Sequence, residues 1–197
     1  NEVNETLSMV AEQNLDLRTI TMGISLFPCA DEDMKRMCTK VYDRITTQAE
    51  HLVETAEDLE REYGIPIANK RISVTPIAMI ASAGPDKDLS PLAQAMDKAA
   101  QTLGIDFMGG FSALVQKGIG DADKHLIASI PKALSTTERV CSSLNIASTR
   151  AGINMDAVLR AAETIRACAQ ATTNIDCYGA AKFVTFCNMV EDSPFMA

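Results

Sequence analysis

Strand-like segments recur along this chain, and each is separated from the next by enough sequence to form a helix. The segments are Leu17–Phe27, Ala68–Thr75, Asp106–Val115, Arg139–Ala147 and Lys182–Val190. Parallel neighbours need a crossover of a dozen or more residues, usually helical, whereas antiparallel hairpins do not. The order therefore predicts an α/β protein with a mainly parallel, five-stranded sheet.

Amphipathic patterns fill the intervals. Asn4–Gln13 is expected to be helical, with Asn4 as its cap and Leu7, Val10 and Ala11 on one face. Asp33–Tyr63 carries apolar residues at steps of three and four, from Met34, Met37 and Val41 to Ala56 and Leu59. It reads as one long helix, or two joined near Thr46-Thr47, stopped by Gly64. Ala83-Gly84-Pro85-Asp86 reads as a turn. Ser90-Pro91 is a start signal, Ser as cap and Pro in the first turn, for a helix ending at Gly104. Asp121 is expected to cap a helix through Leu134 that Pro131 bends or breaks. Asn154 is expected to cap a last helix, whose buried face would be Met155, Val158, Leu159, Ala162, Ile165 and Ala169.

Within the strands, apolar and small polar residues alternate. Ile20, Met22, Ile24 and Leu26 oppose Thr19, Thr21, Gly23 and Ser25. Ile72 and Val74 oppose Asn69, Arg71, Ser73 and Thr75. Val140, Ser142, Leu144 and Ile146 oppose Arg139, Cys141, Ser143 and Asn145. Successive side chains point to opposite faces of a strand, so one face of the sheet is apolar and the other polar. The apolar face should pack on helices. The polar face needs hydrogen-bond partners, from water, a ligand or another part of the protein. A polar cavity inside a barrel and an open sheet with one wet face both satisfy this.

A chain of 197 residues, 47% hydrophobic, can bury one sizeable core, and residues 1–197 are read as a single domain. The net charge of −8 and the lack of a basic stripe argue against nucleic acid. No apolar run is long enough to span a membrane, and the acidic start, Asn1-Glu2-Val3-Asn4-Glu5, is unlike a signal peptide. A cytoplasmic location is expected. The six Cys form no Cys-x-x-Cys pair and the only His are His51 and His125, so free thiols are expected and no metal site. The chain stops at Phe195-Met196-Ala197, soon after its last strand and without a closing helix. A fragment, or a sheet completed elsewhere, is the expectation.

Cys29 follows the first strand and precedes a helix, where a thiol can become a nucleophile, although Asp31 and Glu32 oppose that. Cys38 and Cys168 read as core, while Cys141 and Cys187 could face either way. Gly109-Gly110 and Gly118-x-Gly120 form no dinucleotide fingerprint, and turns or close backbone approach explain them.

Three segments resemble a known family: Arg18-Thr19-Ile20-Thr21-Met22-Gly23-Ile24-Ser25, Phe107-Met108-Gly109-Gly110-Phe111-Ser112-Ala113-Leu114-Val115-Gln116-Lys117-Gly118, and Val140-Cys141-Ser142-Ser143-Leu144-Asn145-Ile146. Arg71-Ile72-Ser73-Val74-Thr75-Pro76 and Gly152-Ile153-Asn154-Met155 fit it too. The family is a prokaryotic one of unknown function labelled pyruvate formate-lyase-like. The resemblance implies that this chain is its N-terminal half. It also implies that the sheet is one five-stranded half of a ten-stranded, glycyl-radical-enzyme-like α/β barrel. Formate-lyase-type enzymes use adjacent cysteines, which this sequence lacks, so no catalytic residue carries over.

Ligands of α/β sheets and barrels bind at the strand C-terminal ends. The expected site is Ser25, Cys29, Arg71, Thr75, Ser112, Ser143 and Asn145, taking a small polar metabolite that is carboxylate- or amino-acid-like. Arg71 would hold a carboxylate or phosphate, or else form a structural ion pair. The hydroxyls and Asn145 would orient the ligand, and Cys29 would be the nucleophile of any reaction. No cofactor is assigned. The expected partners are a second copy, a missing C-terminal half or, by resemblance, a small amino-acid-binding regulatory protein. An enzyme and a non-catalytic sensor or subunit both stay open.

Overall fold

The computed structural model describes residues 2–13 and 19–189. Leu17, Arg18 and Val190, and the side chains of Leu7 and Val10, lie outside that description. The chain begins with helix α1 (Glu2–Ala11) and strand β1 (Thr19–Ile24), then a 3-10 turn at Phe27–Cys29. Helices α2 (Met34–Gln48) and α3 (Leu52–Tyr63) lead to β2 (Asn69–Val74). Next come α4 (Ile77–Ala81), α5 (Ser90–Leu103), β3 (Phe107–Leu114), α6 (Asp121–Thr136) and β4 (Val140–Ser148). The short β5 (Gly152–Ile153), α7 (Met155–Ala171), α8 (Tyr178–Ala181) and β6 (Phe183–Cys187) complete the described fold.

The sheet has six strands rather than the expected five. β1, β2, β3 and β4 are parallel neighbours in chain order, and β6 adds to β4 in parallel. The extra strand, β5, is a two-residue antiparallel return onto Ala147 and Ser148. It is too short to carry a period-two pattern. The sheet is open: among the described residues, β1 pairs only with β2 and β6 only with β4.

α2, α5, α6 and α7 pack side by side and cover the apolar face. Ile24, Ile72, Val74, Met108, Phe111, Val140 and Leu144 from the strands meet Met37, Val41, Leu92, Met96, Ile130 and Leu134 from the helices in one core. Burying such side chains contributes roughly 1.5–3 kcal/mol each.

Local chemistry decides where the helices start and stop. Asp33 Oδ1 accepts from the Arg36 amide at 2.8 Å and caps α2. Asn154 caps α7 as expected, accepting from the Ala157 amide at 3.3 Å. Gly64 and Gly104 end α3 and α5 in left-handed conformations, with φ of 68° and 73°.

The 33–63 segment breaks at Ala49–His51, just after the expected joint. A straight helix of that length would run about 45 Å, far past a strand of about 20 Å. α1 begins before Asn4, which therefore lies inside it. Ser90 does not cap α5. Asp88 does that work, its Oδ1 accepting from the Ser90 amide at 3.0 Å and the Ser90 hydroxyl at 2.6 Å. Gly120, not Asp121, is the capping position of α6, and its amide donates to Asp123 at 2.8 Å. α6 also runs through Pro131 to Thr136, with Ile127, Ile130, Ala133 and Leu134 anchoring it on both sides.

The expected buried face of α7 is corrected as well. Ala157, Ala161, Thr164 and Cys168 face the core, while Met155, Leu159 and Ile165 are 68%, 60% and 41% exposed. Small residues let the helix approach the sheet closely, which leaves the larger apolar ones outside.

Candidate functional site

The polar residues of neighbouring strands share one side of the sheet. The parallel register sets Thr21 beside Arg71 and Arg71 beside Phe107, then Gly23 beside Ser73 and Ser73 beside Gly109. Paired residues point the same way, so these rows lie opposite the helical layer.

β3 then changes phase. Met108 pairs with Val140, but Phe111 pairs with Ser142, so β3 holds one extra residue. The bulge falls at Gly109-Gly110, where Gly110 has a φ of 107° and a Cβ would lie 2.5 Å from the Val74 carbonyl oxygen. Close backbone approach is thus the reason for this glycine pair. Beyond the bulge, Ser112 pairs with Ser143 and joins the polar face, while Phe111 turns into the core.

The hydrogen bonds separate spent groups from unspent ones. The Ser143 hydroxyl donates to Ser112 Oγ at 3.0 Å, both residues being buried. With its amide turned to the orientation that satisfies both ends, the Asn145 nitrogen donates to the Phe186 and Ala147 carbonyls at 3.0 Å each, closing the irregular step between β4 and β6. Thr75 Oγ1 accepts from the Leu26 amide at 3.1 Å and fixes the exit of β1. Ser25 is exposed, and its carbonyl accepts from Arg44 Nε at 3.2 Å.

Arg71 and Ser73 differ from these. The Ser73 side chain is 1% exposed, and its Oγ has no partner among the described residues. Arg71 Nε is likewise buried and unpartnered, although the side chain as a whole is half-buried. The Arg71 guanidinium carbon lies 5.1 Å from the Phe107 ring centroid, so one guanidinium face is stacked. Two residues apart on one strand, the two groups present an N–H and a hydroxyl to the same space. Cys141 flanks them on the polar face. Burial pushes its thiol up, against the lowering pull of Lys182 and Arg71.

Of the seven expected residues, Arg71, Ser112, Ser143 and Asn145 share this face, and of these four only Arg71 has a buried side-chain nitrogen or oxygen with no hydrogen-bond partner among the described residues. Arg71 sits early in β2, level with the first residue of β3, and not at the strand C-terminal end. Cys29 is placed apart, in the apolar core at 2% exposure, with Sγ donating to the Lys40 carbonyl at 3.5 Å. Burial raises its thiol, the opposite of activation, with Arg44 and Lys40 only partly offsetting this. Ser73 was visible in the alternation but had no feature to single it out. Lys182 was read only as the start of a strand. It is 5% exposed, donates to the Thr137 carbonyl at 2.6 Å and is lowered in pKa by burial.

All six cysteines are free. Among the described residues no helix is long and apolar enough to cross a membrane, and no three His, Cys, Asp or Glu side chains are grouped to hold a metal. A surface groove of about 420 Å³ lies between α6 and α7, lined by Ile119, Lys124, Pro131, Arg160 and Glu163 among others, and none of the expected site residues reaches it.

A family model described as "Uncharacterised ACR (DUF711)" matches residues 8–197. A UPF0210 protein of Desulforamulus reducens is 57% identical over 197 residues, covering 100% of this chain and 44% of the relative. UPF0210 proteins of Ruminiclostridium cellulolyticum and Ligilactobacillus salivarius are 58% and 54% identical over 196 residues, covering 100% of this chain and 43% of each relative. The chain therefore spans less than half the length of these relatives. An uncharacterised prokaryotic family is what the strand motifs led one to expect, and the matches give one: the chain belongs to the DUF711 (UPF0210) family.

Proposed function

We propose that the polar face of the sheet binds a small carboxylate-bearing metabolite, amino-acid-like in size, with Arg71 as the anion anchor and Ser73 as a second hydrogen-bond partner. One observation carries this reading: two neighbouring donors, Arg71 Nε and Ser73 Oγ, are buried and unpartnered on one strand. Leaving such groups unpaired costs roughly 1–3 kcal/mol each, and a carboxylate meets both needs. Stacking on Phe107 fixes the guanidinium plane and leaves its edge for two parallel N–H···O bonds. Binding without turnover is the favoured form, because the thiol on this face, Cys141, is pushed up by burial rather than activated.

The same reading puts the face inside a barrel completed by further strands, of the glycyl-radical type. Support comes from the two strands with a single neighbour and from the greater length of the relatives. Free thiols fit a reducing compartment, the cytoplasm. A regulatory partner protein is the second form of the proposal, with the metabolite as its signal.

The test is a thermal-shift screen of the full chain against amino acids and small carboxylates, repeated with Arg71→Ala. A ligand at 100 times its Kd stabilises by about 2.7 kcal/mol, and that gain should vanish in the variant. If no carboxylate raises Tm and Arg71→Ala unfolds the protein, Arg71 belongs to a structural ion pair and the proposal fails.

A further inference from the structure

Gly23 lies inside β1 with nothing in its own strand to require it. A glycine in a strand weakens it, and its usual reasons are a bulge, a left-handed φ or the close approach of another backbone or a ligand. The pairing of β1 with β2 runs unbroken from Thr19 to Ile24, which leaves no bulge. The φ of Gly23 is not left-handed. Crowding by the protein's own backbone explains the buried Gly110, but Gly23 is exposed. A ligand is the reason that remains.

The place of Gly23 on the sheet agrees with this. It is the register partner of Ser73, and such partners point the same way about 4.8 Å apart. An exposed position without a side chain is therefore the immediate neighbour of a hydroxyl that is 1% exposed and unpartnered among the described residues. Gly109 flanks Ser73 on the other side but is half-buried. Thr21 and Arg71 form the next row, and both are half-buried. A ligand anchored on Arg71 and Ser73 thus has its open side toward β1, across Gly23.

We propose that Gly23 determines which carboxylates the site accepts: the body of the ligand crosses β1 over Gly23, where a side chain would otherwise stand. This rests on the carboxylate reading above and adds the direction and length of the ligand. Crossing one strand spacing takes a body of about three to five carbons beyond the carboxylate. Acetate reaches the anchor alone, and a longer acid also fills the slot.

The test is an NMR chemical-shift titration of the full chain with acetate, 4-hydroxybutyrate, L-glutamine and L-leucine, which reads weak binding as well as tight. In the wild type, at least one longer acid should bind about tenfold or more tighter than acetate. Gly23→Val should weaken that acid by at least about tenfold and leave acetate within about threefold of the wild type, with Gly23→Ala in between. Valine suits an exposed strand position, so the Tm of the unliganded variant should be unchanged or higher. Gly23→Ala, a single methyl, decides the matter should Gly23→Val not fold. If acetate binds but no longer acid binds more tightly, or if both variants keep the longer acid, the role of Gly23 is overturned and the Arg71 anchor stands. An equal loss of acetate, or a fall in the Tm of unliganded Gly23→Ala, also overturns it, because the space then serves the protein's own packing. If none of the four acids binds the wild type, the carboxylate reading falls and this one with it.

Discussion

A buried hydroxyl with nothing to bond costs roughly 1–3 kcal/mol relative to one that is paired. Ser73 carries that cost, while Ser112 and Ser143 escape it by bonding to each other. Ser73→Ala should therefore leave the unliganded protein as stable or up to about 1 kcal/mol more stable. The same change should cut the thermal shift given by a bound carboxylate. Urea unfolding without ligand, followed by the thermal-shift assay, reads both. A loss of stability in the first measurement would mean that the hydroxyl is already spent. The alternation placed Ser73 on the correct face, yet sequence could not separate it from Ser143 or Thr75. That distinction is made by which oxygen faces which backbone group, a matter of ångströms set by the register.

At the scale of elements, period and spacing were legible and caps were legible only in part. Each of three expected caps has a competing carboxylate two residues away: Asp88 beside Ser90, Asp123 beside Asp121 and Asp156 beside Asn154. Backbone geometry chose Asp88 and Asp123 in the first two cases and Asn154 itself in the third. The Asp88 carboxyl is held down at about 2 by hydrogen bonds from Lys132 and Ser90. A lowered carboxyl adds stability that is present above its ordinary value of 3.8 and is lost as the pH falls to about 2. The difference in Tm between wild type and Asp88→Asn should shrink across that window and at high salt. Thermal melts over an acid pH series check it. The effect should be small, because the Asp88 side chain is 51% exposed and the pair is screened by water. For α7, amphipathicity was read correctly but assigned to the wrong neighbour: the period reveals that a face is apolar, not what it touches.

Over the whole molecule, an open sheet should show graded protection. β3 and β4 are flanked on both sides, whereas β1 and β6 each have one described neighbour. In native-state hydrogen exchange, amides of β3 and β4 should exchange slowest, and those of β1 and β6 faster. Equal protection of β6 and β4 would reveal a further strand on that edge, as the barrel reading requires. The α/β class and the parallel order were legible because crossover length leaves few alternatives. The polar face was legible in β1, β2 and β4 but not in β3, where Phe107-Met108-Gly109-Gly110-Phe111-Ser112 breaks the alternation. The residue responsible is Gly110, which resets odd and even along the strand. Were every residue of β3 paired one to one with β4, with no bulge at this position, Phe111 would fall opposite Ser143 among the hydroxyls and Ser112 would sink beneath the helices. The parity of half a strand, and with it the pairing of Ser112 to Ser143, is thus decided by a single amino acid that has no side chain of its own.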